Sequence, residues 1–261
     1  MGDKIFIGKA GVYHRFRPSY PREFIDYLYE EAGFGSSSVI ADIGSGTGIF
    51  SRLLLERGSL VYAVEPNDDM RIIAERELGM KQGFCSINAA AEDTGLCENS
   101  VNFVTAAQAF HWFDRQKFAQ ECNRILSSGG KAAIVWSIRD FGHKIVEKDY
   151  ALRKKFSVGD TSSLSSAEAP ISDVKGFFAG EEFEDLTFPN DLYLKRDEYI
   201  GMNLTRSYSP TKEAEPKKYF SLITALGELF DEYDTNGVLS YPHVTRAYIG
   251  IVNTSSQAEA L

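Results

Sequence analysis

Three glycines stand at alternate positions in "ADIGSGTGIF", Gly44, Gly46 and Gly48, directly behind the carboxylate of Asp42. Glycine takes the side chain out of a loop, so the backbone there can lie against a ligand. A second carboxylate, Glu65, follows Gly44 by about 20 positions, the separation at which an acidic residue accepts both hydroxyls of a ribose. The dinucleotide-binding pattern needs its third glycine one residue later, where Ile49 stands. A pyrophosphate would also be opposed by Asp42 at the end of a strand, whereas a cation would be favoured by it. No GK[ST] follows the loop, which excludes a P-loop.

S-adenosylmethionine meets these demands, because it carries a sulfonium, an ammonium and a ribose. Glu65 alone does not separate it from NAD; the glycine spacing and Asp42 together favour the methyl donor. An NAD-dependent oxidoreductase and a non-catalytic nucleotide-binding regulator are the alternative readings.

A loop of this kind has to be held by strands and helices, and the hydrophobic pattern supplies them. "VIADI" (39–43), "LVYAV" (60–64), "FCSIN" (84–88), "VNFVTAA" (101–107) and "GKAAIVWSI" (130–138) read as buried strands. Between them, Ile49, Phe50, Leu53 and Leu54, then Met70, Ile73, Ala74 and Leu78, then Phe118, Cys122, Ile125 and Leu126, each mark one face of a helix. Asp114 is placed as the N-cap of the third of these, with Phe113 and Phe118 as a hydrophobic staple. A further helix runs through Phe24, Ile25, Leu28 and Ala32, behind Pro21. Alternating strands and helices imply right-handed parallel βαβ units, with the ligand beyond the carboxyl ends of the strands where their order reverses. "FEDLTFP" (183–189) and "VTRAYIGIV" (244–252) add two strands as an antiparallel pair, and Pro216 opens an amphipathic helix. The Ser-rich "DTSSLSSAEAP" reads as a loop. The expected fold is α/β: a doubly wound, Rossmann-like seven-stranded sheet with an antiparallel last strand and a helical lid. Its divisions are a strap and helix at 1–38 and a donor-binding core at 39–139. Lid and substrate insertions follow at 140–240, interrupted by the strand near 183–189, and 241–261 completes the core.

Composition narrows the partners. Across 261 residues, 43% hydrophobic and 25% charged residues suffice for a full core. The net charge of −9 speaks against a nucleic-acid binder. Cys85, Cys97 and Cys122 have no CxxC spacing and read as buried thiols of a reducing compartment, and no apolar run is long enough for a membrane span. The expectation is a cytoplasmic protein, monomer or homodimer, with a small-molecule partner and neither nucleic acid nor membrane. His14, His143 and His243 match no metal-ligand spacing, so no metal is expected.

"VIADIGSGTGIFSRLLLERGSLVYAVEPNDDM" resembles the first two motifs of class I S-adenosylmethionine-dependent methyltransferases, of the methyltransferase type 11 kind. "AAEDTGLCENSVNFVTAAQAFHWFD" and "ECNRILSSGGKAAIVW" are similar to the later motifs of that family. "RFRPSYP" paired with "QAFHWFD" resembles the subgroup of trans-aconitate methyltransferases, and "NLTRSYSP" extends the likeness into the lid. The resemblance implies that Asp42, Gly44 and Gly46 surround the methionine end of the donor, that Ser45 and Gly48 also bind the donor, and that Glu65 holds its ribose. It sets Pro66, Asn67 and Met70 beside the ribose, Ala91 and Glu92 at the adenine, and Gln108 and Ala109 below the sulfonium. Asn102 departs from the family, which has Asp there.

Methyl transfer from a sulfonium is a displacement with a good leaving group in place, so alignment and exclusion of water carry much of the catalysis. A base is needed only where the acceptor loses a proton. His111, just past the fourth strand, is the candidate for that role. Tyr13 and Arg17 in the strap are candidates for closing over the donor, and Tyr20, Trp112, Arg206 and Tyr208 for contacting an acceptor, with a carboxylic acid among the acceptors considered. Amine methylation of nucleic-acid bases is disfavoured, because "AAQAFHWF" stands where those enzymes carry [DNS]PP[YFW].

Overall fold

The computed structural model describes residues 19–159, 171–206 and 208–253. Within them, β1 (Val39–Ile43), β2 (Leu60–Val64), β3 (Phe84–Ile87), β4 (Val101–Ala107) and β5 (Leu126–Arg139) are parallel neighbours in the order β3-β2-β1-β4-β5. The chain steps outward from β1 to β3, then returns to the other side of β1 at β4. Strand order therefore reverses between β1 and β4, which opens a crevice at their carboxyl ends. β6 (Phe178–Pro189) and β9 (His243–Val252) complete the sheet, with β9 antiparallel between β5 and β6.

The strands are buried because both faces are covered. Even-numbered residues of β5, Ala132, Ile134 and Trp136, pack with Phe118, Cys122 and Ile125 of α4 (Arg115–Ile125) and with Val174 and Phe177 of α6 (Ile171–Phe177). Odd-numbered Ala133 and Val135 pack with Phe24, Ile25 and Leu28 of α1 (Arg22–Glu30) and with Phe50 and Leu54 of α2 (Ile49–Glu56). This is the period-2 alternation of a strand. The expected cap of α4 forms, Asp114 accepting from the Lys117 N–H at 3.2 Å, with the Phe113 and Phe118 rings 4.8 Å apart. Asn102 ties the start of β1 to β4, its Oδ1 accepting from the Val39 N–H at 2.8 Å.

Several readings differ from the expectation: β6 begins at Phe178 rather than 183, β9 begins at His243, and Cys85 on the edge strand β3 and Cys97 between β3 and β4 are exposed, Cys122 alone being buried. β5 begins at Leu126, because the "SSGG" turn is carried inside it as an irregularity: Val101 pairs with Leu126 but Phe103 with Lys131. The lid region also holds β7 (Leu192–Leu194) and β8 (Leu239–Tyr241), a small antiparallel sheet of their own. These short strands pack with α5 (Lys144–Phe156), α7 (Arg196–Leu204) and α8 (Pro216–Tyr233) into a third core of Ile145, Tyr199, Leu222, Leu226, Phe230 and Tyr241. Inside it Asp149 accepts from Arg153 at 2.7 Å, Tyr199 at 2.7 Å and Tyr241 at 2.6 Å. The Ser-rich 160–170 stretch lies outside the described residues.

Candidate functional site

A cleft of about 1150 Å³, its open mouth included, lies along the carboxyl edge of the sheet. Its first wall is the loop between β1 and α2. The Gly44 and Ser45 N–H groups donate to the Val64 carbonyl at 2.8 and 3.1 Å, which folds the loop back over the end of β2. Glu65 then clamps it from the side: Oε2 accepts from the Gly46 N–H and Oε1 from the Asn67 N–H, both at 2.9 Å. Asn67 caps α3 (Asp68–Leu78), accepting from the Met70 N–H at 3.0 Å. These bonds leave a carboxylate fixed at the end of β2 and bordering the cleft.

Asp42 is fully buried beneath the loop. Its Oδ2 accepts from Ser51 Oγ at 2.6 Å and its Oδ1 from Thr105 Oγ1 at 2.8 Å. Burial pushes its pKa up to about 6 against the pull of those two hydrogen bonds, and the charge of Glu65 adds to the rise. Asp42, fully buried, therefore acts on the cleft through its charge. The loop hydroxyls Ser45 Oγ and Thr47 Oγ1 are buried without a hydrogen-bond partner among the described residues, as polar groups awaiting a ligand would be.

The next wall is the turn after β4. Gln108 has a φ of +59°, and its side-chain Nε2 donates to the Ser137 carbonyl at 2.7 Å. That bond pins the turn to β5 and sets Ala109 against the glycine loop. Beyond it lie Trp112, half-exposed on a 3-10 turn (Phe110–Trp112), and His243 at the opening of β9. The end of β2, where Glu65 follows, and β9, which His243 opens, are four strand spacings apart in the sheet order, about 19 Å. The cleft is thus long enough for a donor and an acceptor end to end.

Of the sequence-predicted residues, Asp42, Gly44, Ser45 and Gly46 line the cleft, as do Glu65, Pro66, Asn67 and Met70 from the β2 side. Gln108, Ala109, Tyr20, Trp112 and Arg206 line it too. Five others stand elsewhere. Gly48 faces away, because a Cβ there would meet Leu78 Cδ1 at 2.5 Å. Ala91 is buried in the sheet core, and Glu92 instead accepts from the Asp114 N–H at 2.8 Å, at the start of α4. Tyr208 is drawn into the lid core, its hydroxyl accepting from Arg153 at 2.9 Å. His111 is absent from the lining, because the 3-10 turn presents Trp112 there. Tyr13 and Arg17 lie outside the described residues.

Sequence reasoning missed Thr47, Phe50, Phe113, Ser137 and His243 as cleft residues. For His243 a signal existed. An antiparallel strand beside parallel ones starts at the edge where the others end, so its opening residue faces the ligand. His243 is 2% exposed, and its pKa is pushed down to about 3 by burial, then by the charges of Arg206 and Arg153, despite the carbonyls of Tyr241 and Pro242. The ring is neutral at physiological pH.

Residues 41–134 match the family model described as a methyltransferase domain. Over 135 residues the chain is 38% identical to an uncharacterized methyltransferase of Mycobacterium tuberculosis, covering 52% of this chain and 53% of that protein. It is 30% identical over 131 residues to a Saccharomyces cerevisiae protein named a probable S-adenosylmethionine-dependent methyltransferase, covering 49% of this chain and 45% of the other. The chain thus spans about half the length of these curated relatives. A solved structure, a candidate type II methyltransferase from Anaeromyxobacter dehalogenans, superposes with a TM-score of 0.62 at 24% identity, covering 90% of this chain and 98% of that one. The seven-stranded order with one antiparallel strand is the Rossmann-like methyltransferase fold.

Proposed function

We propose that this chain, which carries a methyltransferase domain over residues 41–134, transfers a methyl group from S-adenosylmethionine to a small-molecule acceptor. The observation that carries the reading is a pair of carboxylates, Asp42 beneath and Glu65 beside a glycine loop that contains no Lys or Arg. Such a site suits a ligand that is cationic and carries a ribose. When bound, the donor supplies a methyl group on a positively charged sulfur.

The residues of the chain would divide the work along the cleft. Glu65 keeps a lone pair on each oxygen beyond its two backbone bonds and would accept the ribose hydroxyls. Ser45 and Thr47 would bond the polar head of the donor, and Asp42 would offset its charge from below. Gln108 holds the β4 turn to β5 and so fixes the floor beneath the reacting carbon. Half-exposed Trp112 would narrow the mouth and limit water. Arg206 supports an acidic acceptor, a small carboxylic acid in the simplest case, and the likeness of "RFRPSYP" and "QAFHWFD" to the trans-aconitate methyltransferase subgroup supports the same class.

Calorimetry with S-adenosylmethionine and, separately, with NAD tests the reading. Glu65→Ala is expected to weaken donor binding tenfold or more, from the loss of charge-assisted hydrogen bonds of about 1.5–3 kcal/mol. Binding of NAD alone would overturn the proposal.

A further inference from the structure

The far end of the cleft holds two buried polar atoms without hydrogen-bond partners among the described residues. Ser137 Oγ and His243 Nδ1 are shielded from solvent and make no hydrogen bond among the described residues, and both residues line the cleft. Their register explains how they meet. Across β5 and β9, Ser137 pairs with Thr245 and Arg139 with His243, so Ser137 and His243 are diagonal neighbours on one face of the sheet. Ser137 on β5 stands three strand spacings from the end of β2 that carries Glu65 and His243 on β9 four, so the pair lies beyond the donor end of the cleft. Orphaned buried polar atoms cost stability unless a ligand meets them.

The chemistry of the neighbourhood restricts that ligand. Arg206 lines the same cleft and, by its charge, helps to keep the His243 ring neutral. A neutral imidazole adds no positive charge beside a sulfonium, and it has one nitrogen lone pair free to accept a hydrogen bond. Tyr20, Phe50, Trp112 and Phe113 bring aromatic rings to the cleft, which suits a flat molecule.

Resting on the methyltransferase reading above, we propose that the acceptor is an aromatic hydroxy acid. His243 accepts a hydrogen bond from its hydroxyl, Ser137 supports that oxygen, and Arg206 holds its carboxylate. In the transfer the hydroxyl oxygen forms the new O–CH₃ bond, and the electron pair of the broken S–CH₃ bond stays on sulfur. The hydroxyl proton leaves along the hydrogen bond to the imidazole and from there to water. The ring would take up its charge as the donor's charge is lost, and the bound carboxylate would offset Arg206, which removes one cause of the ring's low basicity while burial, the larger cause, remains. His243 is thereby the acceptor-contacting residue in the role expected of His111.

The test uses the full chain with S-adenosylhomocysteine bound and three probes: 4-hydroxybenzoate, benzoate and phenol. With ¹⁵N-labelled histidine, the signal of the unprotonated nitrogen of His243 is identified by its loss in His243→Gln. It is expected to move with 4-hydroxybenzoate and phenol and to stay still with benzoate. By calorimetry, 4-hydroxybenzoate should bind more tightly than either fragment. His243→Phe should weaken it by about tenfold, with affinity for S-adenosylhomocysteine within twofold of wild type. His243→Gln, which keeps a hydrogen-bonding side chain, should recover part of the loss. Failure of all three probes to bind, or equal binding to wild type and His243→Phe, would overturn the proposal. Failure of S-adenosylhomocysteine to bind the wild type would instead remove the methyltransferase reading beneath it.

Discussion

Two glycines of one loop make a matched experiment, because the same added methyl group meets different surroundings. Gly46 has a φ of +56° and Gly48 a φ of +80°, so alanine at either is strained by the left-handed backbone, by about 1–2 kcal/mol. At Gly46, which lines the cleft, no atom of the described residues beyond its chain neighbours lies within 4 Å of the added Cβ. At Gly48 the Cβ would stand 2.5 Å from Leu78 Cδ1 and 3.3 Å from Ala74 Cβ. Leu78 is fully buried, so its shift overpacks the core at a further cost of about 1–3 kcal/mol. Gly46→Ala should therefore lower stability by about 1–2 kcal/mol and Gly48→Ala by about 2–5 kcal/mol. In a chain of this size each kcal/mol moves the melting temperature by about 2–4 °C. Ligand affinity should run the other way. Gly46→Ala places its methyl group in the space of the donor and is expected to weaken S-adenosylmethionine binding at least tenfold, whereas Gly48→Ala stays within about threefold. Thermal melts and calorimetry on the two variants decide it. A Gly48→Ala protein that melts like wild type but no longer binds would refute the division of roles, as would a Gly46→Ala protein with wild-type affinity.

Other outcomes follow from the buried carboxylates. The folded-state pKa of Asp42, about 6, stands above its ordinary value of 3.8, so the native state holds a proton that the unfolded chain releases. The contribution of Asp42 to stability is full below pH 4 and falls as pH rises to 6, by about 3 kcal/mol in total. Denaturant melts should therefore show Asp42→Asn gaining on wild type across that window, and parallel pH profiles would contradict it. A cationic donor favours the ionised form, so wild-type affinity for S-adenosylmethionine should rise between pH 5 and 7 while Asp42→Asn stays flat; calorimetry at both pH values checks this. In the lid, Asp149→Ala strips the fully buried Arg153 of its carboxylate and should cost about 3–5 kcal/mol. A melting temperature unchanged by Asp149→Ala would show that the network contributes little.

The residue order by itself determined the βαβ sheet, because the strands are short apolar runs and the helices carry period-3.6 stripes, both local signals. It also determined the half of the cleft that the glycine loop borders. Asp42, the glycine loop and Glu65 lie on consecutive strand ends, so their separation along the chain fixes their separation in space. Tertiary structure alone decided which glycine faces the ligand, since that depends on where Leu78 of a later helix comes to rest. It likewise decided the far end of the cleft. Ser137 and His243 are distant in sequence and meet only through the antiparallel register of β5 and β9. His111 stands beside a motif yet is absent from the cleft lining, because a 3-10 turn rotates Trp112 into that place. Local pattern reports periodicity and spacing, whereas the direction of a side chain in a loop is set by the packing of elements from elsewhere in the chain.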